Sequence, residues 1–252
     1  MRLQNTMWRL FSKRIPRFSA FSADPTEEIR SATRGRAAEI FFSTEEVTVH
    51  KWLHYLPIYD ELFAPLVGSS VKFLEIGVSK GGSLRMWREF FGPDAMIYGV
   101  DINPDCAAFD GTDARVRIGS QDDPSFLASV VEEMGGLDVV LDDGSHIASH
   151  QRASFEVLFP LLSEGGLYVI EDTHSAYWPH MEGGLRRQGT AIEYLKRKID
   201  DIHRHYYERG RNTPEAMTDI ESLQFFDSIC VIRKRKQAPR RHVVVPQAGR
   251  GK

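Results

Sequence analysis

The sequence is short of several things that would settle its class at once. It has only two cysteines, Cys106 and Cys230, in 252 residues. That excludes a disulfide framework and a cysteine-rich zinc site, and it suits a reducing, cytoplasmic setting. No run approaches the roughly 20 apolar residues needed to span a bilayer. The first 23 residues contain no acid and lack the uninterrupted apolar stretch of a secretory signal. Internal repeats and low-complexity blocks are missing. So are the dinucleotide fingerprint G-x-G-x-x-G and the phosphate-gripping G-K-S/T. What remains is 42% hydrophobic and 27% charged, enough for one sizeable buried core.

The net charge of −3 is unevenly spread. Residues 1–36 carry +5, residues 233–252 carry +8 with no acid, and the stretch between them carries −16. So acidic a body repels phosphates and argues against a nucleic-acid partner. The basic ends allow a weak membrane-surface contact, against the plainer reading of solvated tails. Leu3, Met7, Leu10 and Phe11 share one helical face up to Pro16. A transit peptide, a surface helix or a loose extension all fit that pattern. The expected organisation is a basic, flexible extension over 1–25 and a folded domain over 26–235. Within the domain a helical cap spans 26–68 and a sheet spans 69–235; a basic flexible tail follows over 236–252. A homo-oligomer is compatible with all of this.

From residue 71 onward, short β-type runs alternate with helical patterns. Strands are expected at 71–76, 96–101, 114–119, 137–141 and 167–170. Helices are expected at 83–91, 125–134, 150–162 and 191–207. A hairpin of 223–226 with 229–232 closes the sheet edge, and residues 26–66 read as helices. Such alternation predicts an α/β fold with a mostly parallel sheet covered on both faces.

Three loops then carry chemistry. Phe73 to Ser83 joins the first strand to the first helix. Gly77 permits the tight turn, and Gly81 and Gly82 let a ligand approach backbone amides. Glu75 would repel a pyrophosphate and welcome a cationic amino-acid moiety. Asp101 ends the second strand, where a carboxylate accepts hydrogen bonds from ribose hydroxyls. An acidic loop followed by a ribose acid suits S-adenosylmethionine, with Ser83 and Asp142 beside it. After the third strand, Ser120 and Gln121 are placed for the adenine edge; a helix N-cap at Asp122 or Asp123 is the competing reading.

The fourth and fifth strands end in Asp142-Asp143-Gly144-Ser145-His146 and Glu171-Asp172-Thr173-His174. Carboxylates converging at neighbouring strand ends repel one another unless a cation sits between them. Hard oxygen donors favour Mg²⁺, Mn²⁺ or Ca²⁺. His146, three residues after Asp143, is the first candidate for a general base; His174 and His150 compete with it. Tyr55, Tyr177 and Trp178 are candidate aromatic faces for an acceptor, or plain packing.

At these residues the sequence resembles the metal-dependent sugar O-methyltransferases of the macrocin and mycinamicin type, a group that includes rhamnosyl O-methyltransferases and cephalosporin hydroxylase-like proteins. The matching stretches are His54 to Tyr59, Leu74 to Gly77 with Gly81 to Trp87, Tyr98 to Asp101, Asp142 to His146 and Glu171 to His174, within about residues 50–235. Ser120 departs from the acid that similar sequences carry there. The resemblance implies a Rossmann-like class I methyltransferase fold, with a seven-stranded sheet and a C-terminal antiparallel hairpin. It implies S-adenosylmethionine as methyl donor and Mg²⁺ or Mn²⁺ on Asp143, Glu171 and Asp172. His146 would be the base, acting on a small-molecule or glycan acceptor contacted by Tyr55, His174, Tyr177 and Trp178. A catechol-type O-methyltransferase and a non-catalytic methyltransferase-fold binding protein are the rival readings. Oxidative chemistry ranks below both, for want of an iron-binding triad.

Overall fold

A computed structural model describes residues 27–44, 47–111, 113–208, 217 and 219–245. The amphipathic N-terminal pattern lies outside them. The chain divides into two compact units, residues 1–34 and 35–252. In the first, the described part is the short helix α1 (Glu27–Ala32). The second holds everything else. No helix among the described residues is long and apolar enough to cross a membrane.

The second unit is a seven-stranded sheet in the order β3-β2-β1-β4-β5-β7-β6. Its strands are β1 (Lys72–Ile76), β2 (Met96–Asp101), β3 (Arg115–Ile118), β4 (Val139–Asp142), β5 (Leu167–Ile170), β6 (Ile220–Phe225) and β7 (Cys230–Lys234). The first five are parallel, and β7 runs antiparallel to both β5 and β6. The helices are α2 (Arg36–Ser43), α3 (Leu56–Phe63), α4 (Gly82–Phe91), α5 (Pro124–Met134), α6 (Ala148–Leu158) and α7 (Ala191–Ile202).

Side chains alternate across a strand, so each strand feeds two cores. Phe73, Ile97, Val139, Leu141, Val169 and Val231 pack on one face with Tyr55, Tyr59, Phe63, Trp87, Phe90 and Phe91. Leu74, Ile76, Val100, Val140, Tyr168 and Ile170 pack on the other with residues of α5, α6 and α7. This two-sided burial is why the strands read as continuous apolar runs. The first core is dense in aromatics, with ring centroids from 5.0 Å (Tyr59–Trp87) to 6.4 Å (Phe63–Phe90) apart. The cap is fastened to the sheet layer through α2, where Arg36 donates to the carbonyls of Phe90 and Glu89.

Element ends follow local chemistry. Asp123 caps α5 by accepting from the amides of Ser125 and Phe126, and Pro124 sits at the first helical position. Asp122, the other capping candidate, is exposed and bonds Ser120 instead. The helix expected over 150–162 starts at Ala148 and stops at Leu158. Pro160 has no N–H to continue it, and a 3₁₀ turn follows. The helix expected to reach 207 ends at Ile202, where the His203 amide closes onto Ile199 and Asp200. Both cysteines are free and buried.

Register aligns the strand ends. Ile76 pairs with Val100 on one side and Asp142 on the other, and Asp142 pairs with Ile170. Gly77, Asp101, Asp143 and Glu171 therefore emerge along one edge. The chain order reverses there, between β1 and β4, and a ligand crevice opens at such a switch point.

Candidate functional site

Gly77 (φ 99°) lies where a Cβ would overlap the backbone carbonyl of Asp143. The turn after β1 is thus pressed against the turn after β4. Gly81 (φ 75°) would set a Cβ against the Phe109 ring, and its amide closes a turn on the Val78 carbonyl. The loop amides face Asp101. One Asp101 oxygen accepts from Val78 and Ser79, each at 3.0 Å, and the other from Asn103 at 2.8 Å. Ile102, directly after it, is 72% exposed.

Four expected cofactor contacts look inward instead. Glu75 is fully buried; it accepts from Ser83 Oγ (2.7 Å) and Trp87 Nε1 (3.1 Å), so Ser83 is engaged as well. Burial pushes the Glu75 carboxyl up to about 7, against the pull of Lys51 and Ser83. Asp142 is also fully buried, and accepts from Ser154 (2.7 Å), Tyr168 (3.1 Å) and Gln121 (3.1 Å). Gln121 uses its other end to accept from the Ser145 amide at 2.7 Å, which ties the β3 and β4 loops together. Asp142 and Asp143 are neighbours on a pleated strand end, so they point to opposite sides. Ser120, bonded to Asp122, stays half-exposed beside the buried Gln121.

Asp143, His146 and Asp172 do converge. One donor atom from each lies within 4.8 Å of the others. His146 Nε2 is 3.6 Å from Asp172 Oδ2 and 4.0 Å from Asp143 Oδ1. His146 Nδ1 is buried with no hydrogen-bond partner among the described residues. Backbone strain collects here: Ser79 (φ 50°), His146 (φ 58°), Asp172 (φ 54°) and Ser228 (φ 65°) are all left-handed and none is glycine. Asp172 is held by Tyr55 (2.7 Å) and Trp52 (3.1 Å). Ser175 Oγ donates to the His146 carbonyl.

Glu171 departs from the expected trio. It is buried and faces Lys51, whose Nζ lies 3.0 and 2.9 Å from its two oxygens; Tyr59 donates to it as well. The same ammonium is 2.6 Å from Asp143 Oδ2 and 3.8 Å from Glu75 Oε1. Burial alone would discharge Lys51. Asp143, Glu171 and Glu75 outweigh it and hold the ammonium charged, well above the ordinary lysine range.

Tyr55 is wholly buried between His54 and Tyr59, so it offers no face to an acceptor; its hydroxyl serves Asp172. His174 bonds Ser228 Oγ and packs edge-on to Trp52 and Trp178, and burial lowers its basicity. Tyr177 is 47% exposed on the turn after β5, and Trp178 stacks on His180. His150 lies apart, bonded to Ser145 and 3.6 Å from Asp122.

Residues 74–173 match a family model described as a methyltransferase domain. The fold agrees: the mycinamicin-pathway methyltransferase MycE, solved in complex with Mg and SAH, superposes with a TM-score of 0.71 at 35% identity, over 81% of this chain and 56% of that one. The chain has the Rossmann-like fold of the class I methyltransferases. Among its relatives are the 8-demethyl-8-alpha-L-rhamnosyl tetracenomycin-C 2'-O-methyltransferase of Streptomyces olivaceus, 36% identical over 73% of this chain and 52% of the relative. The mycinamicin VI 2''-O-methyltransferase of Micromonospora griseorubida is 39% identical over 73% and 49%. The resemblance to sugar O-methyltransferases is thus one of sequence and of fold. The chain spans about half the length of these relatives.

Lys51, Trp52, Tyr59 and Ser228 also build this site, and no motif in the sequence points to them. A local signal exists for Tyr59, which stands four residues after Tyr55, a spacing that puts two phenols on one side of a helical stretch.

Proposed function

We propose that the protein transfers a methyl group from S-adenosylmethionine to a sugar hydroxyl of a glycosylated natural product, glycolipid or polysaccharide, with a divalent cation at the acid cluster. The observation that carries this reading is the convergence of Asp143, His146 and Asp172 beside the Gly77–Gly82 turn, in a chain similar to sugar O-methyltransferases. The Asp143 and Asp172 carboxylates of this cluster are hard oxygen donors that fit Mg²⁺ or Mn²⁺, with Glu171 behind them. A cation there supplies positive charge that makes an acceptor hydroxyl more acidic. S-adenosylmethionine, held at the Gly77–Gly82 turn and Asp101, would supply an electrophilic methyl, with S-adenosylhomocysteine as the leaving thioether.

The chain's own residues do the rest. Asp101, with its carboxylate at the loop amides, is the ribose acceptor, and the exposed Ile102 gives a purine an apolar face. His146 takes the hydroxyl proton at Nε2, help worth about 10²–10⁴-fold for a positioned base. Asp143 and Asp172 set that ring's position. Tyr177 and Trp178 offer aromatic surface to the acceptor. A second reading follows from the same distances: Nε2 faces both carboxylates, which makes His146 a third cation donor. The two separate on His146→Ala, which as a base loses turnover and keeps Mn²⁺ affinity, and as a donor loses both.

The test of the reaction is a labelled-methyl screen with glycosides and catechols as parallel acceptors and Mg²⁺ present. Label on glycosides supports the proposal. Label on catechols alone replaces it with the phenolic reading. Cofactor binding by calorimetry with no transfer to any acceptor replaces it with a binding protein.

A further inference from the structure

Lys51 sits within the acid cluster and has no part in the proposed reaction. Its side chain is 2% exposed, as buried as Glu171 beside it. It reaches the strand ends from the segment just before α3 and touches carboxylates of three strands. Asp143 Oδ2 is 2.6 Å away, the Glu171 oxygens 2.9 and 3.0 Å, and Glu75 Oε1 3.8 Å. Asp143 is shared between two sides: Oδ2 meets the ammonium, and Oδ1 faces His146. Glu75 in turn holds Ser83 and Trp87 at the start of α4, directly after the Gly77–Gly82 turn. Two further groups from the same segment close the cluster, Tyr59 on Glu171 and Tyr55 on Asp172.

We infer that Lys51 is a positioning residue, a built-in cation that fixes the inner side of the acid cluster and sets how much negative charge the divalent ion meets on the outer side. A lysine that only packed would not take both oxygens of one carboxylate and a third from another. Without it, the buried Glu75 and Glu171 and the half-buried Asp143 would repel one another and swing apart. With it, Asp143 and Glu171 are locked before any ion arrives, and the cluster carries one negative charge fewer. This inference rests on the reading that a divalent cation sits at Asp143 and Asp172, so its test has one arm that needs no metal.

In that arm, melting is followed in excess chelator. Lys51→Met should lower the melting temperature by about 6 °C or more, because it leaves buried carboxylates unpaired. Adding Glu171→Gln to Lys51→Met should recover part of the loss, since one of the unpaired charges goes with it. A double variant no better than Lys51→Met would overturn the inference, as a packing role predicts. The second arm titrates Mn²⁺ by electron paramagnetic resonance. Lys51→Met should bind Mn²⁺ roughly tenfold more tightly or better, the effect of deleting one charge next to a ligand carboxylate at an effective dielectric of about 20. Lys51→Arg, which keeps the charge, should stay close to the wild type. Equal or weaker Mn²⁺ binding by Lys51→Met overturns the inference. If Lys51→Met does not fold, Lys51→Met/Glu171→Gln takes its place in both arms, and failure of that variant to fold as well also counts against the inference. Wild-type protein that binds no Mn²⁺ removes the cation reading itself, and the chelator arm still decides whether Lys51 organises the acids.

Discussion

Gly77→Ala would probe the joint on which the crevice depends. Gly77 has φ 99°, and an added Cβ would lie 2.8 Å from the Asp143 carbonyl carbon and overlap its oxygen. Neither partner has room to retreat. The Asp143 amide donates to Ile76 at 2.9 Å, and β1 and β4 are paired up to Ile76 and Asp142. The left-handed backbone costs an alanine about 1–2 kcal/mol. Forcing a methyl into a filled space adds about 1–3 kcal/mol. Together these are about 2–5 kcal/mol, or a fall in melting temperature of roughly 4–20 °C for a chain of this size. Gly165→Ala is the control, since Gly165 has φ 83° with nothing within 4 Å of the added Cβ. It should cost the backbone term alone. The assay is a thermal melt of both variants with an Mn²⁺ titration alongside. Gly77→Ala should also weaken Mn²⁺ binding, because Asp143 must shift, and Gly165→Ala should not. If the two variants melt together and bind the ion alike, the β1 and β4 turns are not in the contact described.

Three further outcomes are expected. Asp101→Ala should lose at least tenfold in S-adenosylmethionine affinity by calorimetry, as charge-assisted hydrogen bonds of about 1.5–3 kcal/mol disappear; unchanged affinity removes the ribose assignment. Glu75 sits at about 7 in the fold against 4.5 ordinarily, so the folded state binds more protons between those values and its stability falls as pH rises through them. That loss amounts to about 3 kcal/mol; it should vanish in Glu75→Gln, and parallel stability profiles of the two proteins from pH 4.5 to 7.5 would refute it. His146→Ala should melt within a few degrees of the wild type yet lose about 10²–10⁴-fold in turnover; an early melt with normal turnover would move the proton-accepting role to His174.

Much of the fold is legible because its strands are buried on both faces. Met96–Asp101 and Leu167–Ile170 are read to the residue, since apolar runs bounded by polar turns leave little choice. The loops after β1, β2, β4 and β5 are legible as a site for the same reason: parallel strands deliver their C-terminal ends to one edge. The errors are errors of facing. Asp142 and Asp143 look alike in sequence, but the pleat turns one to Ser154 and Tyr168 and the other to His146. Glu75 and Gln121 sit at the right loops and are spent inward, on Ser83, Trp87 and Asp142. Tyr55 has the right neighbourhood and the wrong role, because an aromatic core closes over its ring. Lys51 and Ser228 are the hardest to foresee. They arrive from a segment before the sheet and from the β6–β7 turn, through tertiary contacts that no local pattern encodes.

Methyl transfer to a sugar hydroxyl that depends on a cation comes down to one measurement. S-adenosylmethionine with a labelled methyl group is incubated with the protein and a deoxysugar glycoside, in Mg²⁺, in excess chelator, and in chelator followed by Mg²⁺. The product is then mapped by mass spectrometry and carbon NMR. Label is expected on a sugar oxygen in the first sample, none in the second, and recovery in the third. Label that appears undiminished in chelator, with the protein's metal content shown to be nil, would contradict it.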